Sequence, residues 1–331
     1  MAGSGASDDE VVLDVPHRIR VFKSGRVERF CGSDPSPAST DADTGVACKD
    51  HAISPDVAAR LYLPPAAKEE DGGRRLPVLV YFHGGGFCLL SAFNAIMHGY
   101  LNSLAARARA VVVSVEYRLA PEHPIPAAYE DSWRALCWVA SHATGGGAGD
   151  DEAAAWLADH ADFSRLSLAG ESAGANIAHH MAMRAGAEGL PGGARIIISG
   201  GLVLVHPYFL SGAGVPSEAS NPAMAGNMAK MWRVVSPATA GLDDDPWINP
   251  LAAGAPALRG LACGRVLVCL AGEDVLRDRG RAYCEGLRTS GWAGELELVE
   301  AAGQDHCFHL SDYTSGDAVR QDEAIARFLN L

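Results

Sequence analysis

Arg165-Leu166-Ser167-Leu168-Ala169-Gly170-Glu171-Ser172-Ala173-Gly174 is the stretch that decides the fold. Arg165–Gly170 reads as a buried strand and Ala173–Ala185 as a helix, which puts Ser172 at a strand-to-helix turn. Glycines stand two residues before and two after the serine. A tight turn of this kind needs neighbours without side chains, so that the chain can reverse and Oγ stays exposed. The helix that follows aims its N-terminal dipole at negative charge developing beside the turn. In this setting a G-x-S-x-G pattern marks a candidate nucleophile rather than an ordinary glycine turn.

The flanking sequence repeats the same unit. Upstream, Pro77–Phe82 is a continuous apolar strand, followed by a helix over about Asn94–Arg109 and a second buried strand at Ala110–Val115. A helix over Ala127–Ser141 and a glycine-rich loop at 145–149 lead into the deciding stretch. Downstream come apolar strands near Ile196–Val205, Arg265–Leu270 and Glu295–Val299, and a closing helix over about Asp317–Leu329. Uninterrupted apolar strands alternating with helices imply an α/β fold with a mainly parallel central sheet, covered by helices on both faces. Before this region, residues 1–15 read as a frayed tail, His17–Phe30 as a hairpin and Val57–Leu63 as a strand. Lys68–Arg75 is a polar loop. Ser211–Gly241 breaks the rhythm and reads as an insertion capping the C-terminal edge of the sheet. Residues 16–331 are therefore expected to form one domain, with the cap drawn from the N-terminal region and about 211–241.

Composition narrows the classes. The chain has 331 residues, 48% hydrophobic, with 27 basic and 40 acidic residues and a formal charge of -13. An acidic surface repels phosphate backbones and anionic lipid, so neither nucleic acid nor a membrane surface is an expected partner. The eight cysteines, at 31, 48, 88, 137, 263, 269, 284 and 307, form no C-x-x-C pair, and several lie in apolar runs. That pattern suits a reducing compartment, and Met1–Glu10 lacks the basic and apolar regions of a secretion signal. A cytoplasmic location is expected.

The candidate chemistry has three more parts. His83-Gly84-Gly85-Gly86 follows the strand that ends at Phe82, and glycines there let backbone N–H groups approach a developing oxyanion. A phosphate-cradling loop would need a lysine that Phe87-Cys88-Leu89-Leu90 does not supply. A serine nucleophile needs a base held by an acid, in the chain order serine, acid, histidine. Glu273, Asp274 and Asp278 follow the Arg265–Leu270 strand, and Asp274 heads its loop and is preferred. Asp278, one turn on, reads as a helix N-terminal residue or a partner of the site. Of the downstream histidines, His306 follows the last strand and His309 lies three residues later, and His306 is the expected base. His179 and His180 read as ordinary positions on the helix after Ser172. Met224, Met228, Met231 and Trp232 recur at helical spacing in the insertion, a stripe that packs the cap onto the body or lines an apolar wall. Phe87, Met231, Trp232, Ile248 and Phe308 are candidate substrate contacts. No metal and no cofactor is needed by this set.

With these residues in place, the chain resembles the plant carboxylesterase family, in the hormone-sensitive-lipase-like branch of the α/β-hydrolases. The matching pieces are His83–Phe87, Tyr117-Arg118-Leu119-Ala120-Pro121-Glu122-His123-Pro124, Gly170–Gly174, Asp243–Pro250, Asp274–Asp278 and Asp305–Leu310. The resemblance implies an α/β-hydrolase fold and a triad of Ser172, Asp274 and His306. It also implies an oxyanion hole from the N–H groups of the glycines after His83 (Gly84, Gly85 and Gly86) and of Ala173, and a structural role for Tyr117–Pro124. Hydrolysis of small or medium apolar carboxylic esters is the implied activity. Two relatives bound that expectation. Gibberellin receptors lack the triad histidine, which is present here, and 2-hydroxyisoflavanone dehydratases often carry threonine at the nucleophile position, where this chain has Ser172.

Overall fold

The computed structural model describes residues 10–65, 74–144, 152–191, 198–239 and 241–331. Eleven strands and nine α-helices are seen among them. An eight-stranded sheet has the order β11-β10-β9-β8-β6-β7-β5-β4. Its strands are β4 (Ala47–Ser54), β5 (Val57–Leu63), β6 (Leu76–Phe82), β7 (Val111–Glu116), β8 (Ala161–Glu171), β9 (Gly201–Val205), β10 (Arg265–Ala271) and β11 (Glu295–Ala301). Strands β6 to β11 run parallel, while β5 is antiparallel to β7 and β4 to β5. The helices are α1 (Ala95–Ala108), α2 (Ala127–Ser141), α3 (Glu152–His160), α4 (Ala173–Glu188), α5 (Pro216–Ser220), α6 (Pro222–Val235), α7 (Arg277–Thr289), α8 (Phe308–Ser311) and α9 (Gly316–Leu329). Buried clusters lie on both sheet faces, as the unbroken apolar strands require. No helix among the described residues is long and apolar enough to cross a membrane.

Strand register determines which loops meet. Phe82 of β6 lies opposite Gly170 of β8, Glu171 opposite Val205 of β9, Val205 opposite Cys269 of β10, and Ala271 opposite Ala301 of β11. The loops after Phe82, Glu171, Ala271 and Ala301 therefore leave the sheet at one edge, side by side. Asn94 starts α1 by accepting the N–H of Met97 at 2.8 Å, which fixes the helix boundary where the sequence places it.

Several expectations are corrected. Val11–Val15, expected as part of a frayed tail, forms a strand, β1, antiparallel to β2 (Ile19–Phe22), which pairs in turn with β3 (Val27–Arg29). Leu13 and Val15 are buried, and that burial holds the segment. The strand expected from Ile196 starts at Gly201, whose backbone takes a φ of +111° beside the ring of Phe328. Its first two residues, the glycine-rich loop at 145–149 and residues 68–73 lie outside the described residues. Strand β4 and helix α3 were not anticipated, and α7 only as the helix that Asp278 was one candidate to begin.

The insertion holds α5 and α6. Helix α6 packs against β1, and the β1–β3 ribbon and the insertion are each tied to the loops at the sheet edge through other residues. Arg29 of β3 donates to the carbonyls of Cys88 (2.7 Å) and Ala120 (3.1 Å) and pairs with both carboxylate oxygens of Glu122. On the other side, Ser217 of α5 donates its hydroxyl to Val275 O and its N–H to Asp278, while Arg279 grips Glu218. Trp232 of α6 is held by an indole N–H bond to Asp245 at 2.9 Å. Replacing Arg29 with Ala would leave two part-buried carbonyls without their charged donor. The expected cost is about 2 kcal/mol, read as a lower urea midpoint at an unchanged slope.

Candidate active site

Ser172 caps α4 with φ +55° and ψ −116°, a backbone conformation that costs a non-glycine residue about 1–3 kcal/mol. Its N–H donates to Val205 O (2.9 Å), and its carbonyl accepts from Tyr208 N (3.0 Å), so neighbouring strand ends hold the strain in place. The flanking glycines are needed for a further reason than the turn. A Cβ on Gly170 would lie 2.6 Å from Phe82 O, and one on Gly174 would fall inside the same carbonyl. The nucleophile turn thus packs backbone to backbone on the end of β6.

His306 and Asp274 arrive from the neighbouring loops. His306 Nε2 lies 2.9 Å from Ser172 Oγ, and Nδ1 lies 2.7 Å from Asp274 Oδ2. A carboxylate only accepts, so Nδ1 carries a proton, and in the neutral ring Nε2 faces Oγ as an acceptor. Leu276 N–H donates to the other oxygen of Asp274 at 2.9 Å. Burial would raise the pKa of Asp274, but His306 and the Leu276 N–H outweigh it and hold the carboxyl below its ordinary value. Burial likewise would lower the pKa of His306, and the Asp274 carboxylate, with Cys307 alongside, holds it well above the ordinary imidazole value. Of the other carboxylates considered, Glu273 is exposed, and Asp278 sits in the first turn of α7, bonded to Ser217. His309 is buried in α8 without a hydrogen bond, against the Tyr100 ring. His179 and His180 are buried on α4, bonded to Tyr283 and to the Trp247 carbonyl.

The glycines after His83 separate into two kinds. Gly84 is buried, and its N–H donates to Glu171 Oε1 at 2.6 Å, which removes it from the expected donor set. Gly85 and Gly86 are partly exposed, have φ of +91° and +61°, and donate their N–H groups to no described protein acceptor. Ala173 is the first residue of α4, so its N–H has no acceptor within the helix. Tyr117 holds this loop from behind. Its ring stacks on His83 at 4.3 Å, and its hydroxyl donates to His83 O at 2.7 Å. Ala120 N–H donates to Phe87 O, and Arg118 grips Asp131 with two nitrogens at 2.8 Å. The stretch Tyr117–Pro124 is a scaffold for the glycine loop.

The candidate substrate contacts mostly pack. Trp232 and Ile248 have no exposed surface and Phe87 has 1%, with the Phe87 ring edge-on to Tyr129 and Trp232. Side chains so enclosed face no open space, so these three are core positions. Phe308, 9% exposed, packs with Ala271 and Ala318. Met231 is the exception in placement: its Sδ occupies the space that a Cβ on Gly86 would need.

Two supports of the site were not singled out from sequence. His206 follows β9 and accepts Cys307 N–H on Nδ1 at 3.0 Å, steadying the residue after His306. One ring nitrogen of His206, one of His306 and the sulfur of Cys307 lie within 4.8 Å of one another. Both nitrogens of His306 and Nδ1 of His206 are already engaged, so a cation there would have to displace a bond that orients His306. The second support is Glu171, whose signal was visible: an acid at the buried C-terminal end of β8, directly before the nucleophile.

Comparison with known proteins agrees with the fold. A family model described as alpha/beta hydrolase fold matches residues 79–310. A 2-hydroxyisoflavanone dehydratase of Glycyrrhiza echinata is 47% identical over 310 residues, 93% of this chain and 92% of that protein. Probable carboxylesterase 1 of Arabidopsis thaliana is 44% identical over 324 residues, covering 97% of this chain and 98% of that one. Among solved structures, the esterase LipW from Mycobacterium marinum superposes with a TM-score of 0.68 at 29% identity, over 87% of this chain and 82% of that one. The chain belongs to the α/β-hydrolase family that includes the plant carboxylesterases and 2-hydroxyisoflavanone dehydratases.

Proposed function

We propose that the chain is a carboxylic-ester hydrolase with Ser172 as nucleophile, His306 as base and Asp274 as its orienting acid. The observation that carries the reading is the unbroken hydrogen-bonded line from Ser172 Oγ through His306 to Asp274. His306 Nε2 takes the hydroxyl proton as Oγ bonds to the ester carbonyl carbon, and Asp274 stabilises the imidazolium. The carbonyl oxygen becomes an oxyanion against the N–H groups of Gly85, Gly86 and Ala173. Collapse breaks the bond to the alcohol, which leaves with the proton from His306. Water, activated by the same imidazole, then releases the acid. This route uses no metal and no cofactor.

The substrate is a small or medium apolar ester. Met231, resting on Gly86 from the cap made by β1–β3 and by α5 and α6, limits space next to the oxyanion position. We place the protein in a reducing compartment, the cytoplasm, on its eight cysteines, all of them free thiols. A dehydratase acting on a 2-hydroxyisoflavanone-type substrate is the second reading, favoured by the relative of that name at 47% identity. It would use the same base and oxyanion donors without an acyl-enzyme. The complete triad line argues against a hormone receptor with vestigial machinery.

Hydrolysis of p-nitrophenyl acetate, butyrate and octanoate by the wild type and Ser172→Ala tests the primary reading. Turnover is expected to fall about a thousandfold or more in the variant. Wild type that turns over 2-hydroxyisoflavanones but none of the three esters would move the assignment to the dehydratase. The pH profile is fixed by sign. Only unprotonated His306 accepts the Ser172 proton, and its pKa is raised, so kcat/KM should fall on acidification with a midpoint above 6.5. Asp274→Asn removes the charge that raises it, and should move that midpoint down while lowering kcat about ten-thousandfold.

A further inference from the structure

Glu171 is a fully buried acid that the acyl-transfer scheme does not use. It immediately precedes the nucleophile and ends β8, yet its side chain turns toward the other half of the site. Oε1 accepts the N–H of Gly84 at 2.6 Å, a short bond of the charge-assisted kind. The two segments are in close contact at this point. A Cβ on Gly84 would lie 2.8 Å from Glu171 O, 3.1 Å from Glu171 Oε1 and 3.2 Å from Ser172 Cβ. The remaining oxygen, Oε2, and the buried hydroxyl of Tyr81 on the neighbouring strand interact, Tyr81 favouring the carboxylate, but neither atom has a well-formed hydrogen bond among the described residues.

Burying a carboxyl whose second oxygen lacks a well-formed hydrogen bond is costly, and apolar side chains of similar volume would avoid that cost. What the carboxyl gains is one specific bond to the first glycine of the oxyanion loop. Gly85 and Gly86 follow that glycine with left-handed backbone conformations, so fixing Gly84 also limits where their N–H groups point. We propose that Glu171 is a positioning residue that docks the glycine loop onto the nucleophile turn and so sets the distance between Ser172 Oγ and the oxyanion donors. The inference rests on the hydrolase reading above. It assigns Gly84 and Glu171 to alignment and leaves Gly85, Gly86 and Ala173 to contact the oxyanion. Burial raises the Glu171 carboxyl to about 7, against the lowering effect of Tyr81 and the Gly84 N–H, in keeping with a group retained for its bond rather than its solvation.

The test compares ground-state and transition-state binding in Glu171→Gln and Glu171→Leu. Glutamine keeps an acceptor without the charge, and leucine keeps the approximate volume without an acceptor. The probes are p-nitrophenyl butyrate, for kcat and KM, and an alkyl trifluoromethyl ketone, whose serine adduct places an oxyanion against the donors. Inhibitor affinity and kcat should fall together, about fivefold for Gln and about 100-fold for Leu, with KM within twofold of wild type. A purely structural role would lower thermal stability without this graded loss. Unchanged inhibitor affinity in a folded Leu variant would overturn the proposal. If that variant does not fold, the Gln variant decides alone, and affinity within twofold of wild type overturns it. Ser172→Ala run in parallel separates the two claims: activity surviving there sinks the hydrolase reading itself, whatever Glu171 does.

Discussion

Everything at the sheet edge depends on two backbones meeting without side chains between them. The carbonyl of Phe82, the last residue of β6, occupies the space that side chains on Gly170 or Gly174 would need. That contact brings the end of β6 against the end of β8 and places the glycine loop next to Ser172. It also explains why strained φ/ψ at Ser172 persists: the residue is bonded to Val205 on one side and Tyr208 on the other, and cannot relax without moving both. The remaining residues need only reach this point from parallel strands in register, and β10 and β11 deliver Asp274 and His306 there.

Much of this arrangement was legible in the amino-acid sequence because it is local. Parallel strands buried on both faces leave unbroken apolar runs, and Pro77–Phe82, Ala110–Val115 and Arg265–Leu270 were readable within a residue or so of their observed bounds. The start of helix α1 at about Asn94 was readable as well. The relative order of Ser172, Asp274 and His306 followed from loops placed after strands, without any knowledge of distance. Geometry then put these three side chains in a hydrogen-bonded line.

What was not legible is what depends on contacts distant in sequence. Gly84, Gly85 and Gly86 look alike in sequence, and only the fold shows that one N–H is taken by a carboxylate 87 residues away. Phe87 and Trp232 read equally well as pocket wall or core, because an aromatic residue carries no mark of which apolar surface it meets. Strand β1 has only two buried positions in five and an acidic neighbourhood, so its pairing with β2 outweighs a weak local pattern. Strand β4, at the sheet edge, carries charged and polar residues that suit an edge but hide the strand. Helix α7 is rich in arginine, and its buried face of Gly280, Tyr283, Cys284 and Leu287 is narrow.

The segments that close over the site are fastened to the loops that form it. Arg29 grips the far end of the glycine loop, and Ser217 and Arg279 bind α5 to the loop after Asp274 and to α7. These ties are single buried or part-buried contacts, whereas the sheet beneath is sealed on both faces by whole clusters of apolar side chains, so the two layers open at different free energies. Loosening of the cap and unfolding of the sheet are then separate events. For the same reason the cap is not a module to be exchanged freely among relatives: a transplanted cap brings its own registry to the loops it grips, and selectivity and rate change together.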